Sequence, residues 1–412
     1  MFRAPATTPP PRLRSRRRCR RPDFVLSANP TFDTRNSVNS WQLINASSYS
    51  RSFIFALKRA IAHTSPSSLP AMTVTPQTFV YDANYGTKLD AYLPTFGPQD
   101  KSRVPVIVHF HGGGLVAGSR NDILLSSWIS ETLPSKGFLV LSADYRLLYP
   151  STADDIIADV HTLFSYVASP TTELSSALSS RGLTLDTTRI VVSGESGGNF
   201  PAKAAATLAS VQPRPIAWLD RFGQGGDWLA DHYVKPYDAL PFTKFVRYEE
   251  THAIELDQQG GGKVVTESGS RPREDGRIRD DLGRFDLYVY WLKEALYVDR
   301  FLELPGISAK LAAVPYSKRL ALIPAEKRHL LLPITPHTCP AFIAHGTADG
   351  MVSIGESEAI AKEMEEQGLE VEKRWREGDS HGFFDIVTLQ PSAGSEKLVK
   401  DILCWIDKKV KL

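Results

Sequence analysis

Residues 189–198 read RIVVSGESGG, an apolar run that leads directly into a serine flanked by glycines. The first five residues have the β-branched composition of a buried strand, and a helical stretch from Ala202 to Ala209 follows the serine. A strand, a G-x-S-x-G turn and a helix in this order are typical of a nucleophile elbow, in which the serine occupies a strained turn. The pattern predicts Ser196 as a nucleophile, with Gly194 and Gly198 letting the flanking backbones approach closely.

Further apolar runs of the same character occur along the chain, and helical stretches separate them. These runs cover residues 104–110, 138–143, 341–345 and 370–375, with weaker candidates at 78–81, 89–93 and 215–219. A last helix is expected at about 395–409. Strands that alternate with helices indicate βαβ units, so we predict an α/β fold with a doubly wound, mostly parallel sheet.

A glycine-rich loop follows the run at 104–110 and reads His111-Gly112-Gly113-Gly114. In acyl transfer, negative charge develops on a former carbonyl oxygen, and backbone N–H donors stabilise it by about 3–4 kcal/mol each. Glycines keep side chains away from such donors. The loop, together with Gly197 after the serine, therefore predicts an oxyanion hole, and we expect His111 to orient the loop rather than to transfer a proton.

An acid and a histidine should follow the serine along the chain. His381 lies in a loop after the last strand, and Asp349 lies just beyond the strand that ends at His345, where such sheets place functional groups. We predict that Asp349 orients His381, which takes the proton from Ser196 and later delivers it to the leaving group. Asp379, two residues from His381, is the rival acid, and His345 is expected to be structural.

The alternation of strands and helices stops between about Asp220 and Pro336, where no clear strand is visible. Residues 258–283 are polar and glycine-rich, which predicts an exposed loop. A long excursion inside a compact domain usually carries a lid or a binding element, so we expect a helical cap over the site at about 220–336. The aromatic stretch 285–298 either lines an acyl pocket or, as we favour, belongs to the core.

The first 65 residues differ in composition from the rest. Eight arginines precede the first acidic residue, Asp23, as in a mitochondrial presequence, but Pro9 to Pro11 disfavour the amphipathic helix of such a segment. We expect a disordered leader at 1–65, with a helix at 41–62, and a catalytic domain at 66–412. The expected location is cytoplasmic, with mitochondrial targeting as the alternative.

Composition excludes several classes of partner. The net charge of +2 gives no sign of a nucleic-acid partner, and the apolar run 53–57 is too short to span a bilayer. The three cysteines, Cys19, Cys339 and Cys404, have neither a disulfide nor a metal-binding spacing, so we expect no metal and no cofactor. The oligomeric state is left open.

Taken together, the motifs resemble the hormone-sensitive-lipase-like branch of the α/β-hydrolases, and its fungal members most. The matching residues are His111-Gly112-Gly113-Gly114, Asp144-Tyr145-Arg146-Leu147, Gly194-Glu195-Ser196, Asp349 and His381-Gly382-Phe383. The resemblance covers roughly residues 70–412 and implies an esterase or lipase without metal, with oxyanion donors at Gly113, Gly114 and Gly197. Two departures are visible: Ser196-Gly197-Gly198-Asn199 is one residue shorter than the family pattern, and Leu148-Tyr149-Pro150 replaces its proline-rich run.

We therefore expect a serine hydrolase that cleaves small to medium acyl esters through an acyl-enzyme intermediate. An amidase or an acyltransferase would use the same triad, and the sequence does not separate these reactions. A small-molecule-binding protein on an inactive hydrolase scaffold is a third hypothesis, which the intact set of Ser196, Asp349 and His381 disfavours. The polar stretch 258–283 gives no sign of the large apolar lid of a true lipase.

Overall fold

A computed structural model describes residues 75–95, 103–240, 243, 246–273, 277–383 and 391–411. All of them belong to the unit Ala46–Leu412. The leader predicted at 1–65 and its helix at 41–62 lie outside the described residues.

Ten strands form in the described part of the chain. They are β1 Gln77–Asp82, β2 Thr87–Tyr92, β3 Arg103–Phe110, β4 Leu139–Ala143, β5 Thr184–Glu195, β6 Ala217–Arg221, β7 Ser270–Pro272, β8 Ile278–Asp280, β9 Ala341–Gly346 and β10 Val371–Arg376. Eight of them make one sheet in the order β1-β2-β4-β3-β5-β6-β9-β10. β2 pairs antiparallel with β1 and β4, and every other pairing in this sheet is parallel, which confirms the predicted sheet.

The central strands are apolar on both sides because the sheet is covered on both faces. In β3, Val106, Val108 and Phe110 belong to the larger core cluster, while Ile107 belongs to the smaller cluster on the opposite face. This division follows from the two-residue period of a strand. The run at 215–219, expected to be short and weak, overlaps the five-residue strand β6, which begins two residues later at Ala217 and is buried throughout.

Helices connect the strands and cover the sheet. They are α1 Leu133–Ser135, α2 Ala153–Ala168, α3 Glu173–Ser179, α4 Asn199–Thr207, α5 Asp231–Val234, α6 Glu250–Gln258, α7 Phe285–Lys293, α8 Tyr297–Phe301, α9 Ile307–Ala312, α10 Tyr316–Leu322, α11 Ile354–Glu366 and α12 Ser395–Val410. A π-helical turn at Trp128–Thr132 precedes α1. The amphipathic α12 packs on the smaller core cluster, where Trp405 contacts Phe342 of β9.

The segment at about 220–336 corrects two expectations. β7 and β8 pair antiparallel, so the prediction of no strand there is wrong. Residues 258–283 are not simply an exposed loop, because Ser268 and Asp280 are buried and Ser268 exchanges two backbone hydrogen bonds with Gly118. The Asp280 carboxylate accepts from the Ser268 hydroxyl and from the Arg284 backbone N–H, so these polar groups are satisfied inside the protein.

The aromatic stretch 285–298 belongs to the core, as favoured. Tyr288, Trp291 and Tyr297 are each at most 1% exposed and lie in the larger cluster. The rings of Trp291 and Tyr297 meet edge to face, and the Trp228 ring stacks on the Tyr297 ring at 5.6 Å between centroids. These rings therefore stabilise the segment at about 220–336.

Candidate active site

Ser196 lies at the turn between β5 and α4, with φ at +51° in the left-handed region that a side chain rarely occupies. A Cβ at Gly194 would lie 2.4 Å from the carbonyl oxygen of Gly198, and a Cβ at Gly198 would lie 2.3 Å from that of Phe110. Both positions therefore require glycine because the backbones touch. The turn forms although Asn199 follows one residue earlier than in the family pattern.

Two more side chains converge on this serine. His381 Nε2 lies 3.1 Å from Ser196 Oγ, and His381 Nδ1 lies 2.7 Å from Asp349 Oδ2. The three residues follow β5, β9 and β10, whose carboxyl ends share one edge of the sheet. The Asp349 side chain is fully buried, whereas that of His381 keeps 19% exposure. The structure thus brings together the three predicted residues, with each contact in the predicted order.

The Asp349 carboxylate is held at both oxygens. Oδ1 accepts from the backbone N–H groups of Met351 and Val352 at 2.9 and 3.0 Å, and Oδ2 accepts from His381. Burial raises the pKa of this carboxyl, but the charge of His381 and the hydrogen bonds outweigh burial and hold the pKa well below its usual range. Asp349 is therefore ionised at neutral pH, the state that an orienting carboxylate needs.

The rival acid, Asp379, has other partners. Its Oδ2 accepts from Arg376 Nε at 2.7 Å and from the Ser392 hydroxyl at 2.8 Å. These bonds tie the loop after β10 to the segment before α12. The structure therefore places Asp349, and not Asp379, against the His381 ring.

The glycine loop after β3 lies directly against the nucleophile turn. A Cβ at Gly197 would lie 2.8 Å from the amide nitrogen of Gly114 and 2.6 Å from that of Leu115. A Cβ at Gly112 would lie 3.8 Å from Ser196 Oγ. A side chain at Gly197 would collide with the loop amides, so the loop and the serine turn meet backbone to backbone, an arrangement compatible with the predicted oxyanion hole.

His111 holds the start of this loop. Its Nδ1 lies 2.7 Å from the Gly112 carbonyl oxygen, and its ring stacks on Tyr145 at 4.5 Å between centroids. Burial lowers the pKa of His111 to about 4, so the ring is neutral and donates from Nδ1. Further along, the carbonyl of Gly113 accepts from the N–H of Val116 at 3.1 Å, which closes the turn.

Three further side chains hold the loop: Tyr288 and Tyr297 of the aromatic stretch 285–298, and Arg284, which the sequence did not single out. Tyr297 donates its hydroxyl to the Gly114 carbonyl at 2.7 Å, and the Tyr288 ring packs so closely that a Cβ at Gly114 would lie 2.3 Å from it. The buried Arg284 donates from Nε to the Val116 carbonyl at 2.9 Å. These contacts span more than 160 residues along the chain, so no local pattern announces them.

Comparison with solved structures identifies the architecture. An α/β-hydrolase superfamily protein from Enterococcus faecalis superposes with a TM-score of 0.54 at 18% identity, over 81% of this chain and 99% of that one. The chain has the α/β-hydrolase fold. Residues 89–220, from β2 to β6, also match the BD-FAE family model.

Two fungal relatives resemble parts of this chain in sequence. The non-reducing polyketide synthase mapC' of Penicillium brevicompactum is 25% identical over 76% of this chain and 14% of its own length. The protein named "Probable carboxylesterase M8" of Phoma sp. is 35% identical over 25% of this chain and 32% of its own length. The chain thus spans about a seventh of the first relative and about a third of the second.

The Asp144-Tyr145-Arg146 motif supports the glycine loop rather than facing the serine. Asp144 accepts from the backbone N–H of Arg120 at 2.7 Å and from its guanidinium at 2.6 Å. Tyr145 donates its hydroxyl to the carbonyl of His111 at 2.9 Å. The motif therefore ties the end of β4 to the start of the loop.

A buried ion pair lies next to Ser196. Glu195, the residue before Ser196, accepts from Arg221 Nη1 at 2.9 Å, and Arg221 also donates to the Ser126 hydroxyl at 3.1 Å. Burial raises the pKa of Glu195 and lowers that of Arg221, while each charge offsets the shift of the other. The pair joins the ends of β5 and β6 on the side of the turn away from the glycine loop.

Within the described ranges of the chain, no helix is both long and apolar enough to cross a membrane.

Proposed function

We propose that this α/β-hydrolase is a serine hydrolase that cleaves small to medium acyl esters through an acyl-enzyme intermediate. The observation that carries the proposal is the chain of contacts from Asp349 through His381 to Ser196, at 2.7 and 3.1 Å. The carboxylesterase named among the relatives supports the ester as substrate class.

In the proposed reaction, Ser196 Oγ attacks the ester carbonyl carbon while His381 Nε2 takes its proton. The tetrahedral oxyanion accepts hydrogen bonds from the backbone N–H groups of Gly113, Gly114 and Gly197. His381 then delivers the proton to the alkoxide as the carbon–oxygen bond breaks, which leaves an acyl-serine and a free alcohol. Water then attacks the acyl carbon while His381 takes its proton. His381 returns the proton to Ser196 Oγ as the acyl–serine bond breaks, and the free acid leaves.

Asp349 gives the imidazole its direction in this scheme. Its ionised carboxylate accepts the Nδ1 proton, so the lone pair of His381 Nε2 faces the serine. Phe222 adds a constraint, because its ring meets the His381 ring edge to face at 4.9 Å between centroids. The ring is therefore held by a hydrogen bond at one nitrogen and by packing on its face.

We further propose that residues 66–412 form the catalytic domain and that the segment at about 220–336 acts as its cap. Tyr288 and Tyr297 of this segment contact the glycine loop, which supports the assignment. A cytoplasmic location remains a prediction from the sequence.

A second candidate is transfer of the acyl group to an acceptor other than water. It is favoured by the extent of the match to the polyketide synthase, over 76% of this chain, because that protein is named for synthesis rather than for hydrolysis. The acyl-enzyme would be the same, and only the second nucleophile would differ. An amidase would likewise differ only in its leaving group.

The test is labelling of the purified protein with a fluorophosphonate, together with hydrolysis of p-nitrophenyl esters from acetate to decanoate. We expect labelling and turnover in the wild type and the loss of both in Ser196→Ala. Ser193→Ala is the matched control, since Ser193 lies buried on the same strand with its hydroxyl on His109, and it should keep both. Folded wild-type protein that neither labels nor turns over any ester would refute the proposal.

The same preparation separates the two candidates. Added alcohols, amines or thiols compete with water for the acyl-enzyme, and the ratio of transfer product to free acid measures the preference. If the ratio of transfer product to free acid is no higher than the ratio of acceptor to water concentration, the enzyme does not prefer the acceptor, and hydrolysis is favoured. Comparison of a p-nitrophenyl ester with the matching p-nitroanilide tests the amidase alternative.

A further inference from the structure

A second histidine lies on the carboxylate of the proposed triad. His345, the fifth residue of β9, is fully buried, and its Nε2 lies 3.1 Å from Asp349 Oδ2. This is the oxygen that accepts from His381 Nδ1 at 2.7 Å. One carboxylate oxygen thus receives two imidazoles, one from each side.

The surroundings of His345 fix which nitrogen carries the proton. Nε2 faces two acceptors, Asp349 Oδ2 and the carbonyl oxygen of Val352 at 3.1 Å, so Nε2 must be protonated. Nδ1 lies 2.7 Å from the hydroxyl of Ser357 on α11, which can donate to it. The Nε2 proton is therefore directed at the carboxylate, and, against the effect of burial, the hydrogen bond and charge of Asp349 raise the pKa of His345.

The loop that carries Asp349 does not depend on this contact for its shape. Asp349 Oδ1 already accepts from the N–H groups of Met351 and Val352, which close the turn after β9. The bond from His345 reaches the other oxygen, the one that faces His381. This bond therefore acts on the charge and direction of that oxygen, while the contact of the same ring with the Val352 carbonyl holds the turn.

We propose that His345 is a positioning residue that tunes His381 through Asp349. This inference rests on the proposed function, since it assigns His345 a part in the same reaction. A donor on Oδ2 draws electron density from the oxygen and weakens its attraction for the His381 imidazolium. His345 thereby keeps His381 a weaker base than Asp349 alone would make it, so that the ring is neutral and able to accept the serine proton at a lower pH.

Other charged groups face this array from the packed elements. Asp220 of β6 interacts electrostatically with His345, and burial raises the pKa of Asp220 to about 7. His232 of α5 interacts with Asp349, but burial lowers the pKa of His232 to about 4, so it is neutral. Glu195 interacts with His381 from the nucleophile turn. These groups stay unchanged in the variants below.

The test replaces His345 with two amide side chains of different length. His345→Gln keeps an amide N–H near the position of Nε2, whereas His345→Asn places its amide near Nδ1 and leaves Oδ2 without this donor. In His345→Asn we expect the acidic limb of the kcat/KM profile to move upward by about half to one pH unit, the equivalent of one ordinary hydrogen bond. His345→Gln should keep the wild-type limb, and KM should change little in either variant.

A purely structural role predicts another result. Loss of packing would lower kcat equally at all pH values and leave the limb in place, and it would affect both variants. An unmoved limb in His345→Asn, a downward shift, or equal shifts in the two variants would overturn the inference. Wild-type protein that fails to label with fluorophosphonate would refute the proposed function itself, a separate outcome.

A measurement on the wild type covers the case in which His345→Asn does not fold. In protein labelled with ¹⁵N-histidine, the ¹⁵N chemical shifts identify the protonated nitrogen of each ring, and the His345→Gln spectrum assigns the signal. We expect the Nε2–H form of His345 at neutral pH. An Nδ1–H form would place a lone pair against Asp349 and would exclude the donor role.

Discussion

Removal of the Tyr297 hydroxyl, which contacts the glycine loop, tests how the geometry of that loop is held. Tyr297 donates to the Gly114 carbonyl at 2.7 Å, and burial keeps the pKa of this phenol well above its usual range, so the hydroxyl stays protonated. Tyr297→Phe would leave a buried carbonyl without this donor at a cost of about 1–3 kcal/mol in the free energy of unfolding. Part of that cost is relieved if the loop shifts, and a shift moves the amide of Gly114. Loss of one oxyanion donor typically costs about 3–4 kcal/mol, so a partial displacement should reduce kcat/KM by about tenfold.

The assay compares ester turnover with the binding of a trifluoromethyl ketone, whose adduct with serine places an oxyanion in the same hole. Both should weaken by the same factor in Tyr297→Phe, because both depend on the loop amides. Tyr290→Phe is the control, since Tyr290 lies on the neighbouring helix α7 and is only partly buried. If Tyr297→Phe loses stability but keeps wild-type kcat/KM and inhibitor affinity, the tyrosine supports the fold alone and the argument is refuted.

Three further perturbations test other parts of the site. In Gly197→Ala the new Cβ would lie 2.8 Å from the amide nitrogen of Gly114, so kcat for p-nitrophenyl butyrate should fall by at least about 10²-fold. Asp349→Asn should lower kcat by about 10⁴-fold while Asp379→Asn stays close to wild type, and the reverse ranking would identify Asp379 as the acid. Burial raises the pKa of Glu356 to about 7 from its ordinary 4.5, so the native state binds the proton more tightly than the unfolded chain. The free energy of unfolding therefore falls as the pH rises from 4.5 to about 7. Urea denaturation at pH 5 and pH 8 should show a smaller difference for Glu356→Gln than for the wild type, and an equal difference would contradict this assignment.

The parallel sheet and the placement of the proposed triad follow from local features of the sequence. Each predicted site residue lies within a few positions of an apolar run, and the runs become neighbouring strands because buried parallel strands must pair. Ser196, Asp349 and His381 then meet because the carboxyl ends of those strands share one edge. No knowledge of the loops between the strands is needed for this step, which is why composition and spacing were enough.

The segment at about 220–336 was harder to predict because its contacts are polar and distant. Residues 258–283 have the composition of an exposed loop. The Asp280 carboxylate nevertheless accepts hydrogen bonds from a hydroxyl and from backbone N–H groups, which make the burial of this carboxylate possible. A sequence shows the carboxylate but not its donors. β7 and β8 are three residues each, too short for a periodic signal, and Ser268 just before β7 pairs with Gly118, which is far away in the sequence.

The residues proposed to carry the chemistry leave a local sequence pattern, whereas the residues that hold them in place do not. A nucleophile, a base and a backbone donor must each occupy one position relative to the strands, so their spacing is narrow and leaves a pattern. Tyr297 and Arg284 need only reach a main-chain carbonyl of the loop, and a carbonyl accepts from any donor of suitable length. Such contacts constrain the segment's position in space and hardly constrain its sequence. Substitutions that keep these donors should therefore be tolerated in the segment while the proposed triad stays fixed.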